Sequence, residues 1–77
     1  MIGNVKVLGV SRFKYNKEGN VATNLYLDVT PLVPEGRDGY GQFVSIGTVW
    51  KNIPNGIVGK DVVVSVDRYF KVQDIQI

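Results

Sequence analysis

The sequence predicts an all-β fold of about five short antiparallel strands. Apolar and polar residues alternate in short segments along most of the chain, which is the two-residue period of half-buried strands. Glycine, proline and asparagine separate these segments, and no segment shows a sustained helical period with end caps. The chain shows no internal repeat or low-complexity tract, so we expect residues 1–77 to form a single domain.

The first predicted strand is long, from Gly3 to about Tyr15, and its apolar pattern slips at Gly9. A glycine at such a slip indicates a bulge or a sharp coil. The strand leads into a hairpin turn, Asn16 to Asn20, in which Gly19 is expected to adopt a positive φ.

Four further strands and two loops account for the rest of the chain. The predicted strands are Val21 to Thr30, Gln42 to Trp50, Asp61 to Lys71 and Val72 to Ile77. The loops are Thr30 to Gly41, which contains Arg37, and Lys51 to Asp61, which has room for one helical turn.

A flat sheet of five such strands would have two open edges and one bare apolar face. Coiling into a small antiparallel barrel buries that face, and the long first strand then forms the corner. With a Greek-key connection this barrel is OB-like, an architecture that commonly binds oligonucleotides or oligosaccharides. An SH3-like barrel of similar size is the structural alternative.

The chain is short, with 77 residues of which 44% are hydrophobic. A domain of this size has a marginal core, and without cysteine or histidine it has neither a disulfide nor a plausible structural zinc site. Association with another subunit is the remaining route to added stability, so we expect a homodimer.

The same composition argues against an enzyme. Nucleophile systems that use cysteine or histidine are impossible, and six of the seven carboxylates fall in turn-like stretches or on outward strand positions. The glycine-containing loops lack the spacing of a phosphate loop. We therefore expect no cofactor, no metal and no small-molecule substrate. The absence of a signal-peptide pattern and of a long apolar run predicts a cytoplasmic protein without membrane association.

Basic and aromatic residues alternate in two places, which is the composition of a site for single-stranded nucleic acid. Such sites need cations along the phosphate path and rings on which bases stack. Phosphate contacts are predicted for Arg12, Lys14, Lys17, Arg68 and Lys71, and base stacking is predicted for Tyr15, Tyr26 and Tyr69.

Strand parity assigns these side chains to faces. It predicts that Arg12 and Lys14 point outward together and that Phe13 and Phe70 pack in the core. It predicts for Trp50 a place in the core or in a subunit interface. For Tyr15, a cross-strand contact that stabilises the hairpin is the alternative to stacking.

The order of elements and the stretch NKEGNVATNLY resemble the helix-destabilising single-stranded DNA-binding proteins of filamentous phages and related phages or plasmids. The resemblance implies an OB-like homodimer that coats single strands cooperatively. Lys17 and Gly19 match the basic residue and the glycine of that family's binding hairpin, but Ala22 stands where the family has an aromatic residue. The family's second hairpin would fall around DRYFKV, at Tyr69 or Phe70.

The leading hypothesis is therefore binding of single-stranded DNA, with RNA as an alternative ligand, without sequence preference. The resemblance places this activity in phage, plasmid or mobile-element replication in the cytoplasm of a bacterial host cell. No recognition helix with base-reading side chains is evident, which argues against sequence-specific duplex binding. The competing hypothesis is a β-barrel module for protein–protein interaction or virion assembly, with Trp50 and the RYF patch as its contacts.

Overall fold

A computed structural model describes residues 1–33 and 41–77. It confirms the all-β prediction with one antiparallel five-stranded sheet. The strands are β1 (Ile2–Lys14), β2 (Val21–Asp28), β3 (Val44–Val49), β4 (Asp61–Val66) and β5 (Val72–Gln76). Two single turns of 3-10 helix, Thr30–Leu32 and Asn55–Ile57, lie in the connections. The second of them lies in the loop between Lys51 and Asp61, which has room for one helical turn.

The strands lie in the spatial order β3-β2-β1-β4-β5. β4 therefore pairs with β1 instead of with β3, which precedes it in the chain. The spatial order 4-1-2-3 defines a Greek key, the connection found in OB-type barrels. The two edge strands, β3 and β5, approach each other without pairing, so the sheet is a strongly curled half-barrel.

β1 coils at the predicted position. Its pairing with β2 shifts register between Val7 and Gly9, which confirms the irregularity expected at Gly9. Leu8 is the extra residue, so the inward face passes from Val7 to Val10 instead of to Gly9. The hairpin that follows contains Gly19 at φ 82°, as expected.

The core lies inside the curl and consists of aliphatic side chains from β1, β2, the residue after β2, and β4. Its buried members are Val5, Val7, Leu25, Leu27, Val29, Val62, Val64 and Val66. β4 ends at Val66, so the predicted strand up to Lys71 is too long, and residues 67–71 form a turn. Arg37 lies outside the described residues. Within residues 1–33 and 41–77, no helix is long and apolar enough to span a bilayer.

Gly47 allows β5 to close against β3. A Cβ atom at this position would collide with Ile75 and would lie 3.1 Å from Cγ1 of Val72. Gly47 itself is buried on the inward face of β3. The missing side chain is therefore what lets two strands without mutual hydrogen bonds pack together.

We predict that Gly47→Val lowers the free energy of unfolding by about 1–3 kcal/mol, because the new side chain overpacks the contact with β5. Valine is a favourable strand residue, so propensity alone would predict the opposite sign. Chemical denaturation followed by circular dichroism measures the change. Gly56→Ala is the control, since nothing lies within 4 Å of a Cβ there. Equal stability of the two variants would contradict the closure of β3 on β5.

Candidate nucleic-acid interface

The outward face of β1, β2 and β3 carries an unusual amount of exposed apolar surface. The pairing of Tyr26 with Ile46 and of Asn24 with Thr48 defines this face, which we call the outer face. It presents Val44, Ile46 and Thr48 of β3, and Trp50 directly after the strand. Ile46 is 55% exposed and Trp50 is 63% exposed. The apolar set of β3 therefore points to solvent, and its inward face is the one with Gly47.

An aromatic cluster of Phe13, Tyr15 and Trp50 lies at the hairpin end of the outer face. The Trp50 ring meets Tyr15 at a centroid distance of 5.3 Å and Phe13 at 6.0 Å. The interplanar angles of 81° and 79° make both contacts edge-to-face. Edge contacts from two neighbours hold the Trp50 ring in place while most of its surface stays in solvent.

Ala22 makes this cluster possible. It pairs with Phe13 on β1, and the pairing of Thr23 with Val49 puts Trp50, the residue after β3, beside it. Strands on either side of β2 are about 10 Å apart, so their rings meet only above a small residue. Ala22 is fully buried beneath them. A small residue at position 22 thus leaves the space in which Phe13 and Trp50 meet.

One prediction about the cluster was wrong. Phe13 is not in the core but on the outer face and 37% exposed. Of the two places predicted for Trp50, its exposure rules out the core, and a subunit interface stays a prediction. The bulge at Leu8 reverses the parity of β1 from Gly9 onward, which places Phe13 outward. On β3 the buried face is the one with less apolar surface, because β5 packs there. Gly47, in the middle of that face, is the feature of the sequence that indicates close packing there.

Arg12 and Lys14 share a face, as predicted, but it is the inward face. Arg12 pairs with buried Thr23, in line with Leu25 of the core. Both side chains are exposed because they lie beyond the end of the barrel. The Arg12 guanidinium donates from Nε to Oδ1 of Asn52 at 2.8 Å and also donates to the carbonyl of Ile53.

The hairpin residues lie at the same end of the molecule as the aromatic cluster, of which Tyr15 is a member. Tyr15 is 42% exposed, and Lys17 is exposed in the turn. The turn is closed by a bond from the Asn20 N–H to the side chain of Asn16. The structure therefore brings Lys14, Tyr15 and Lys17 to the end of the molecule that carries Trp50.

Tyr26 lies further along the same outer face. Its ring passes over Gly9, and its hydroxyl shares a hydrogen bond of 3.1 Å with Oγ of Ser11. It is half-buried and flanked by exposed Ile46. Its outward placement agrees with the sequence pattern, and the hydroxyl bond fixes the orientation of the ring.

Arg68, Tyr69 and Lys71 lie elsewhere. They form the turn between β4 and β5, where the N–H of Val66 donates to the carbonyl of Met1. This turn is at the start of β1, whereas the first hairpin is at its end, about 40 Å away along a strand of this length. The two basic and aromatic segments of the sequence therefore do not converge at one spot.

Asp67 organises the second turn. Its carboxylate accepts hydrogen bonds from the N–H groups of Tyr69 and Lys71, at 2.8 and 3.0 Å. Phe70 has φ 62°, a position usually taken by glycine, and its side chain packs against the core as predicted. Tyr69 is left 66% exposed, with the Arg68 guanidinium 5.0 Å from the ring centroid.

The described residues contain no group of three or more histidine, cysteine, aspartate or glutamate side chains arranged for a metal ion. The exposed features are instead rings, lysines and aliphatic side chains. Comparison with protein-family models, curated proteins and solved structures finds no match to this chain. The resemblance to phage helix-destabilising proteins thus stays a prediction based on element order and the hairpin residues.

We predict that the second turn loosens in acid. The pKa of Asp67 lies below its ordinary value of 3.8, chiefly because the Lys71 N–H donates to the carboxylate, with support from the Tyr69 N–H and the charges of Lys71 and Arg68. Since the folded pKa is lowered, this stabilisation is complete above about pH 4 and is lost as the pH falls through the folded pKa.

NMR titration of the Tyr69 and Lys71 amide signals measures this transition. We expect a shared midpoint below pH 3.8 that disappears in Asp67→Asn and persists in Asp61→Asn. A midpoint at or above 3.8, or a transition that persists in Asp67→Asn, would show that Asp67 does not hold the turn.

Proposed function

We propose that this protein binds single-stranded DNA without sequence preference through the outer face of β1, β2 and β3. The observation that carries the proposal is the exposed Trp50 ring, which makes edge-to-face contacts with Phe13 and Tyr15 beside a lysine-bearing hairpin. Rings on an exposed sheet face next to cations are the two components of sequence-tolerant binding. The same face and hairpin are the usual ligand-binding elements of OB-type barrels.

In this proposal the protein holds the DNA strand by two kinds of contact, base stacking and phosphate binding. Trp50 and Tyr15 stack on bases, each contributing about 1–3 kcal/mol, and Tyr26 continues the platform along β2. Lys17 in the turn and Lys14, which lies on the inward face of β1 beyond the end of the barrel, neutralise phosphates at the hairpin. These contacts make binding weaker as salt concentration rises. Neither contact reads base edges, so the strand binds in any sequence.

The turn between β4 and β5 is a second contact region in this proposal. Arg68 and Tyr69 present a cation and a ring together, and Lys71 adds charge. Because this turn lies at the far end of β1 from the first hairpin, a DNA strand that binds both of them also crosses the outer face. Homodimer formation and a role in phage, plasmid or mobile-element replication belong to the same proposal, and they rest on small size and the family resemblance.

A protein-docking function is the second candidate. Val44 and Ile46 are aliphatic and exposed on the same outer face, and aliphatic side chains offer bases no ring on which to stack. A partner protein would cover them together with Trp50, because interface cores favour aromatic and aliphatic side chains over charged ones. The two candidates differ in their dependence on salt and on the lysines.

Trp50→Ala should weaken binding of a fluorescently labelled oligo-dT about 5- to 150-fold, which corresponds to the loss of one stacked base. Fluorescence anisotropy at low salt measures the affinity. Val58→Ala, which removes an exposed apolar side chain from another surface, is the control and should bind as the wild type does. If the wild type gives no binding at low salt, the nucleic-acid function is wrong and the docking function takes its place.

Lys14→Gln and Lys17→Gln should each reduce the dependence of binding on salt. Removing one lysine–phosphate interaction lowers the slope of log affinity against log salt by about 0.7 for a single strand. Lys60→Gln removes an exposed charge from the loop before β4 and should leave the slope unchanged. Equal slopes for all four proteins would remove the two hairpin lysines from the site.

A further inference from the structure

The three residues after Trp50 are anchored from β2. The hydroxyl of buried Thr23 donates to the carbonyl of Lys51 at 2.9 Å and accepts from the N–H of Ile53 at 3.0 Å. Ile53 itself is buried. This short segment is therefore part of the fold, and the residue before it, Trp50, starts from a fixed backbone.

Arg12 holds the same segment from β1. Arg12 and Thr23 are cross-strand partners, so the two side chains reach the segment next to each other. The guanidinium bonds the Asn52 side chain through Nε and the Ile53 carbonyl through a terminal nitrogen. A planar fork meets two acceptors in this way, whereas an ammonium group on a flexible stem does not reproduce the geometry.

β1 thus contacts the Trp50 region from both of its faces. On the inward face Arg12 fixes Asn52 and Ile53. On the outward face the neighbouring Phe13 and Tyr15 support the indole ring. The residues alternate along one strand, so the position of the ring and the position of its backbone depend on the same segment of β1.

We propose that Arg12 is a positioning residue, which orients Trp50 for stacking by bonding Asn52 and Ile53, and is not a phosphate contact. This inference deepens the proposed function and rests on it. It revises the role that the sequence predicts for Arg12. The geometry of the guanidinium determines the position of Trp50, and its charge does not contribute to phosphate binding. The cations that contact phosphate are then the lysines of the hairpin.

Two variants that preserve the net charge test this role. Arg12→Lys keeps the cation but loses the fork, and Asn52→Ala removes one acceptor and no charge. Asn52 and Arg12 are both exposed, so neither change opens the core. Lys14→Gln is the comparison that removes a cation from the same face of β1. Thermal unfolding of each variant checks that the protein remains folded.

Two measurements are made on each variant. The near-ultraviolet circular dichroism and the acrylamide quenching of Trp50, the single tryptophan, are recorded on the free protein. The affinity for labelled oligo-dT is then measured at several salt concentrations. We expect Arg12→Lys and Asn52→Ala to change the tryptophan signals and to weaken binding about five-fold or more, with an unchanged salt slope. Lys14→Gln should lower the slope and leave the tryptophan signals as in the wild type.

The role is overturned if both charge-preserving variants keep the tryptophan signals of the wild type. It is also overturned if those signals change while the affinity does not, because Arg12 would then be structural only. Failure of the wild type to bind oligo-dT would overturn the proposed function instead. In that case the spectra of the free proteins still decide whether Arg12 orients Trp50.

Discussion

The packing of β5 against Gly47 of β3 is the contact on which the rest of the structure depends. β3 and β5 are the two edges of the sheet, and they share no ladder of hydrogen bonds. Only side-chain packing closes the curl there, with Ile75 and Val72 occupying the space that a side chain at Gly47 would take. With β5 packed against β3, the five strands enclose the core of valine and leucine side chains.

The same contact determines what the outer face displays. Because the inward face of β3 is occupied by β5 and has a glycine at its centre, the larger apolar side chains of β3 point outward. Ile46 and Trp50 are exposed for this reason. Above Ala22, Trp50 then meets the rings of β1, and an aromatic cluster forms at the lysine-bearing hairpin. The proposed binding surface is therefore a consequence of how this half-barrel closes.

The features of the fold that depend on neighbouring residues can be predicted from the sequence. Alternation identifies the strands, the slip at Gly9 marks the bulge, and Gly19 marks the hairpin. The outward position of Tyr26 also follows from its strand. Each of these depends on residues a few positions apart, where backbone preferences and a period of two are sufficient.

The errors concern contacts between distant segments. A bulge changes which parity faces inward, and the pattern alone does not say on which side of Gly9 the change begins, so parity wrongly assigns Phe13 to the core and Arg12 to the outside. The contact between β3 and β5 decides which face of β3 points inward, and it joins residues about 25 positions apart. The bonds from Arg12 to Asn52 and Ile53 span about 40 positions. No periodicity within a strand encodes such contacts.

The most direct test of binding through the outer face is a map of amide chemical shifts during titration of the ¹⁵N-labelled protein with oligo-dT at low salt. We expect the largest changes on the Trp50 indole and on the amides of Tyr15, Tyr26 and Ile46, and we expect them to diminish as salt is added. Changes confined to the opposite outward surface, around Ile2 and Val63 where β1 pairs with β4, would contradict the proposed site.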